Sequence, residues 1–126
     1  MLQNSKLISF LATTNVEESK TFYTNILGLT LKFEDVNALV FDVNGSPLRI
    51  SIVRAFTPHP FTSLGFIVKD IELRVKLLVG AGIEMEQFPG LSQINNGIWV
   101  APDGTKVVWF KDPDGNLLSL TEFKEK

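Results

Sequence analysis

Few side chains in this sequence are suited to covalent or metal chemistry. Cysteine is absent, which removes disulfides, thiolate metal sites and a thiolate nucleophile together. The single histidine, His59, stands between Pro58 and Pro60. A serine nucleophile needs an adjacent base that is itself oriented by a third group, and one histidine in a proline-flanked stretch supplies no such set. Asp112 and Asp114 offer a carboxylate pair for acid–base work, but Asp-Pro-Asp-Gly is also a strong turn sequence, and the turn reading is preferred. Gly80-Ala81-Gly82 closes a predicted helix rather than opening one, so it cannot cradle a phosphate at a helix N-terminus. What remains is recognition chemistry. Arg49 can pair with a carboxylate or phosphate, or make a structural ion pair. Phe10, Trp99 and Trp109 can wall a pocket. Alternatively, Trp99 is a surface or dimer-contact aromatic and Trp109 ordinary core.

The elements that must position these residues repeat along the chain. Residues 7–13 are apolar and rich in β-formers, so they read as a strand. Asn15 is a good N-cap for a helix over 16–27, with Glu17 and Glu18 in its first turn and Gly28 as its C-cap. Strands follow over 31–34, 38–43 and 48–53, the last two joined by a turn at Asn44-Gly45. The second half repeats the order. A strand over 63–68 leads to Asp70 as N-cap and a helix over 71–79, with Ile71, Val75 and Leu78 on one face. Strands over 84–88, 105–111 and 117–122 follow, and residues 98–103 add a short strand or hairpin. Residues 8–16 and 63–71 align without a gap. The chain therefore reads as an α+β protein of two βαβββ modules, 7–53 and 62–123, joined by a linker over 54–61. One helix per module covers one sheet face, and the other faces are expected to curl around a shared cleft.

Composition narrows the partners. The 126 residues are enough for one compact domain with a real core. The net charge of −2, with lysines and arginines scattered, supplies no basic footprint for nucleic acid. The N-terminal residues are polar and no apolar run is long enough to span a membrane, so a cytoplasmic protein is expected. On that footing the sequon Asn44-Gly45-Ser46 is read as a turn.

The pattern resembles the vicinal oxygen chelate superfamily, which contains glyoxalase I, bleomycin-resistance proteins and extradiol dioxygenases. Phe22-Tyr23-Thr24-Asn25-Ile26-Leu27-Gly28-Leu29 is similar to the family's ending of the first helix. Lys111-Asp112-Pro113-Asp114-Gly115-Asn116, followed by a strand, is similar to its closing hairpin. The resemblance covers nearly the whole chain and implies paired βαβββ modules, a homodimer and a small-molecule ligand. One such fold hosts many functions.

The resemblance also implies where a divalent metal would sit. Family metalloenzymes draw one donor from the first and one from the last strand of each module. By position these are Ile8, Ser63, Ser119 and either Arg49 or Ser51. An aliphatic side chain cannot coordinate, hydroxyls are weak neutral ligands and a guanidinium repels cations. Slipping the alignment by one residue brings in no better donor. No metal and no cofactor are therefore expected. The expected ligand-binding residues are Ile8, Phe10, Arg49, Ser51, His59, Ser63, Trp99, Trp109 and Ser119, in a metal-free, bleomycin-resistance-like binder. A lyase or dioxygenase with an atypical site and a non-catalytic interaction domain are the alternatives.

Overall fold

The computed structural model describes residues 1–125. Two compact units emerge, Met1–Thr57 and the chain from Pro58 onward. In the first, β1 (Ser9–Thr13) is followed by α1 (Val16–Thr21), then β2 (Thr30–Glu34), β3 (Ala38–Val43) and β4 (Ser46–Ile52). The sheet order is β1-β4-β3-β2, with β1 parallel to β4 and the other pairs antiparallel. The second unit holds β5 (Leu64–Ile67), α2 (Ile71–Gly80), β6 (Trp99–Val100), β7 (Lys106–Lys111) and β8 (Leu117–Glu122). Its order, β5-β8-β7-β6, repeats the first, again with the outer pair β5 and β8 parallel. The predicted βαβββ duplication is thus present in topology as well as in sequence.

Strand alternation sets the two faces of each sheet. In the first unit Leu11, Thr13, Leu39, Phe41, Leu48 and Ile50 are buried on one side. Tyr23 lies over them, its ring 5.7 Å from that of Phe41. In the second unit the buried face of α2 is Ile71, Val75 and Leu78, as its spacing predicts. Val108, Phe110, Leu118 and Leu120 are the buried residues of its sheet on the matching side.

Three local details differ from the sequence reading. Asn15 caps α1 as expected, its Oδ1 accepting the Glu18 N–H at 3.1 Å. The helix, however, widens after Thr21 into a π-helical turn over Phe22–Ile26, closed by the Leu27 N–H donating to the Phe22 carbonyl. The wider turn brings successive side chains angularly closer, and adjacent Phe22 and Tyr23 are both buried. Asp70 precedes α2 in a left-handed conformation and makes no side-chain cap. The capping carboxylate comes instead from the end of β8, where Glu122 Oε1 accepts the Ile71 N–H at 2.8 Å.

The third difference is the strand predicted over 84–88. Only Met85 bridges to β7, opposite Phe110, and the Glu86 N–H donates to the Trp109 carbonyl. The ladder stops there because the Phe88 N–H turns to the side-chain oxygen of Gln93 at 2.8 Å. The Gln93 amide also donates to the Glu86 and Gly97 carbonyls at 2.8 and 2.7 Å. One side chain stands in for a strand, and β6 takes the remaining edge of β7.

Candidate functional site

Each sheet has a face turned away from its helix, and most of the predicted residues lie there. In the first unit the pairing places Phe10, Arg49, Val40 and Phe33 in one row across β1, β4, β3 and β2. Ala12, Ser51 and Ala38 form the next row. Ile8 precedes β1 with the same parity. Ile8, Phe10 and Phe33 are 48%, 59% and 54% exposed, so this face presents apolar surface around a half-buried Arg49. Among the described residues, the Arg49 guanidinium has no hydrogen-bond or ion-pair partner. The structural ion pair weighed for it from sequence is absent among the described residues.

The second unit presents a different row: Gly65, Ser119 and Trp109 across β5, β8 and β7. Ile67, Thr121, Val107 and Trp99 lie beside it. The Trp109 indole N–H donates to Thr62 Oγ1 at 3.1 Å. Thr62 immediately precedes the stretch leading into β5, so the indole reaches across β8. Phe88 meets Trp109 edge-on at 5.2 Å, and Trp99 lies tilted at 6.4 Å. Ser119 and Leu117 are buried although they point away from α2. Ser63 Oγ is buried and has no hydrogen-bond partner. His59 is exposed and stacks on Phe61, ring centres 4.8 Å apart, away from any nucleophile or carboxylate pairing.

The register decides a point the sequence left open. Ser119 stands opposite Gly65 as Arg49 stands opposite Phe10, so the first-unit counterpart of Ser119 is Arg49, not Ser51. Asp112 is a turn residue: its carboxylate accepts the backbone N–H groups of Asp114 and Asn116 and the Asn116 side-chain amide.

The perturbed ionisable groups lie elsewhere. Hydrogen bonding to Lys106 at 2.7 Å lowers the pKa of Glu72, and the same contact raises that of Lys106. Glu34, 2.8 Å away, raises the pKa of Lys20. Backbone and side-chain hydrogen bonds from Thr105 lower that of Asp103. These are surface pairs and a turn. Two open grooves, of about 520 Å³ beside Met85 and Asn96 and about 670 Å³ beside Lys69 and Phe123, contain none of the predicted residues. The unpaired guanidinium and the unmet hydroxyl lie instead on the sheet faces turned away from the helices.

The family model for the Glyoxalase/Bleomycin resistance protein/Dioxygenase superfamily matches residues 7–120. The chain belongs to this superfamily. Comparison with curated protein sequences gives no significant match. Solved structures agree on the fold. A glyoxalase family protein from Bacillus anthracis is 20% identical, with a TM-score of 0.76 over 96% of each chain. Lactoylglutathione lyase from Agrobacterium tumefaciens is 16% identical, with a TM-score of 0.75 over 97% of this chain and 96% of that one. A genomically encoded fosfomycin resistance protein from Listeria monocytogenes is 14% identical, at 0.74 over 96% and 94%. At such identities the likeness carries the fold alone.

Superfamily membership raises the question of a metal. The positions to which the resemblance assigns the family's donors are Ile8, Arg49, Ser63 and Ser119. Among the described residues no group of three or more histidine, aspartate or glutamate side chains converges where an ion could be held. This donor set does not fit a divalent cation, which needs imidazole or carboxylate groups.

Proposed function

We propose that this superfamily member binds a small organic molecule with an anionic group, a carboxylate or phosphate, through Arg49, without a resident metal. The observation that carries the reading is a half-buried guanidinium with no internal partner, set among Phe10, Val40 and Phe33. A guanidinium presents a planar fork of donors suited to such groups. Partial burial strengthens a charge-assisted bond, and the surrounding apolar surface favours a ligand with a hydrocarbon body. Ile8 and Ser51 flank the same face. Ser63, Ser119, Trp99 and Trp109 supply a second recognition surface in the other unit, and His59 a peripheral contact. The protein works in this reading as a cytoplasmic homodimer.

Calorimetric titration of 2-naphthoate and phenyl phosphate tests the proposal. Charge-assisted hydrogen bonds contribute about 1.5–3 kcal/mol. Arg49→Ala should therefore weaken binding by about ten- to a hundredfold. Equal binding to the wild type and this variant removes Arg49 from the site. Elemental analysis of protein purified without chelator tests the metal-free part. Stoichiometric metal, lost together with an activity on chelation, supports an atypical lyase or dioxygenase instead.

A further inference from the structure

We propose that the face of the second unit turned away from α2 carries a subsite for an uncharged, flat ligand with a hydrogen-bonding edge, entered over Gly65 and gated by Trp109. The inference rests on the reading that the protein binds small molecules, and its chemistry is separate from that of Arg49.

Room comes first. Gly65 is exposed and has no left-handed φ that would demand glycine. A Cβ built there would lie 2.8 Å from Ser119 Oγ. Ser119 leans toward the place a side chain would take, and the sheet floor above the exposed Gly65 stays low. The opening is flanked by Ser119 in its own row and Ile67 in the next, the latter 77% exposed.

The wall is aromatic. Trp109, with Phe88 against its edge and Trp99 tilted beside it, offers offset stacking to a planar ring. One hydrogen bond, from its indole N–H to the hydroxyl of the exposed Thr62, holds this ring across β8. A single neutral bond to an exposed group exchanges readily with water, so the indole can swing.

The floor is polar and unsatisfied. Buried polar groups nearly always find a partner, and one that does not calls for an explanation. Ser63 Oγ is such a group, two residues before Gly65 on the same side of the strand path. A ligand carbonyl or hydroxyl reaching it would supply the missing bond. Charge selects against ions. Neither row of this face contains a charged side chain, and Lys111, one row further, lies 3.6 Å from Glu86. A carboxylate here would lose hydration without gaining a partner.

The test uses ¹⁵N-labelled protein, with the Trp109 indole N–H resonance assigned as the one that persists in Trp99→Phe. The probes are 1-indanone and quinolin-2-one, with indane as the same shape lacking a hydrogen-bonding edge. Both polar probes should shift the Trp109 resonance at millimolar concentration, and indane should bind about tenfold more weakly. Ser63→Ala should reduce affinity for 1-indanone by about tenfold, the value of one good hydrogen bond. It should not lower the melting temperature, because the hydroxyl removed has no partner. Gly65→Ala should block the shift. So should the Gly65→Ala/Ser119→Ala pair, in which the contact between the new methyl group and the serine is relieved. The subsite is overturned if neither polar probe moves the resonance, if indane binds as well as 1-indanone, or if Ser63→Ala leaves affinity unchanged. Arg49→Ala separates the two ideas: it should weaken 2-naphthoate binding by about ten- to a hundredfold and leave 1-indanone binding intact.

Discussion

Replacing Asp112 by asparagine changes one charge and no heavy-atom count, yet it should destabilise the second unit substantially. Asp112 is 6% exposed. One of its oxygens accepts the Asp114 and Asn116 backbone N–H groups at 3.0 and 2.9 Å, and the other accepts Asn116 Nδ2 at 2.8 Å. An asparagine oxygen can keep the two backbone bonds, but as a neutral acceptor, losing about 1 kcal/mol from each. Its NH₂ group then faces the NH₂ of Asn116, so the third bond is lost and two donors oppose each other, costing about 1–3 kcal/mol more. The sum is about 3–5 kcal/mol, a melting-temperature drop on the order of 10 °C for a chain of this size. Urea unfolding followed by tryptophan emission reports it directly, since Trp99 and Trp109 both lie in that unit. The reciprocal variant Asp112→Asn/Asn116→Asp restores the donor–acceptor match and should recover about 1–3 kcal/mol of the loss. A single variant within 1 kcal/mol of the wild type would refute the reasoning.

Gln93→Ala removes three hydrogen bonds to the backbone at Phe88, Glu86 and Gly97. Amide exchange at Phe88 should accelerate by about tenfold or more, and unchanged protection there would count against the side chain acting as a substitute strand. Gly45 has φ +90° in the Asn44-Gly45 turn, so Gly45→Ala should cost roughly 1–2 kcal/mol of the first unit's stability, read by circular dichroism in urea. An unchanged midpoint would mean that the turn relaxes. For Lys106→Met the sign follows from the two shifts. Glu72, with its pKa lowered by Lys106, contributes stability that is present above the ordinary carboxylate range and lost as pH falls through its lowered value. Lys106, with its pKa raised by Glu72, contributes stability that is present at and below neutrality and lost as pH rises through its raised value. The variant should flatten the stability profile at both ends, more visibly at low salt. A profile that keeps its acid step would show that the step originates elsewhere.

What could be read from sequence was whatever depends on neighbours along the chain. The face of α2 follows from the spacing of Ile71, Val75 and Leu78, and the first cap from Asn15 standing three residues before Glu18. The closing hairpin follows from Pro113 and Gly115, the latter at φ +90°. Contacts between distant segments were not legible. Glu122 caps a helix 51 residues earlier, and no local pattern distinguishes it from any other strand-end glutamate. Residues 84–88 have strand composition, and their failure to form a ladder depends on where the Gln93 amide lands. The same holds at the site. Residue types gave the expectation of a metal-free face, but they could not show that the Arg49 guanidinium lacks an ion pair among the described residues or that Trp109 reaches Thr62.

The two units share one hydrogen-bond frame and present different side chains on it. Equivalent rows run Phe10–Arg49–Val40 in the first unit and Gly65–Ser119–Trp109 in the second. Bulk sits on the edge strand in one and two strands inward in the other. With phenylalanine at the edge and a small residue on β3, the middle position can hold a long guanidinium supported by apolar neighbours. With glycine at the edge and serine in the middle, there is space for an indole to lie across β8 and reach Thr62. Neither row leaves an imidazole or carboxylate at the middle position. In the proposed reading the two recognition surfaces follow from these residues, and placing imidazole or carboxylate donors there would require removing the groups that now occupy the face.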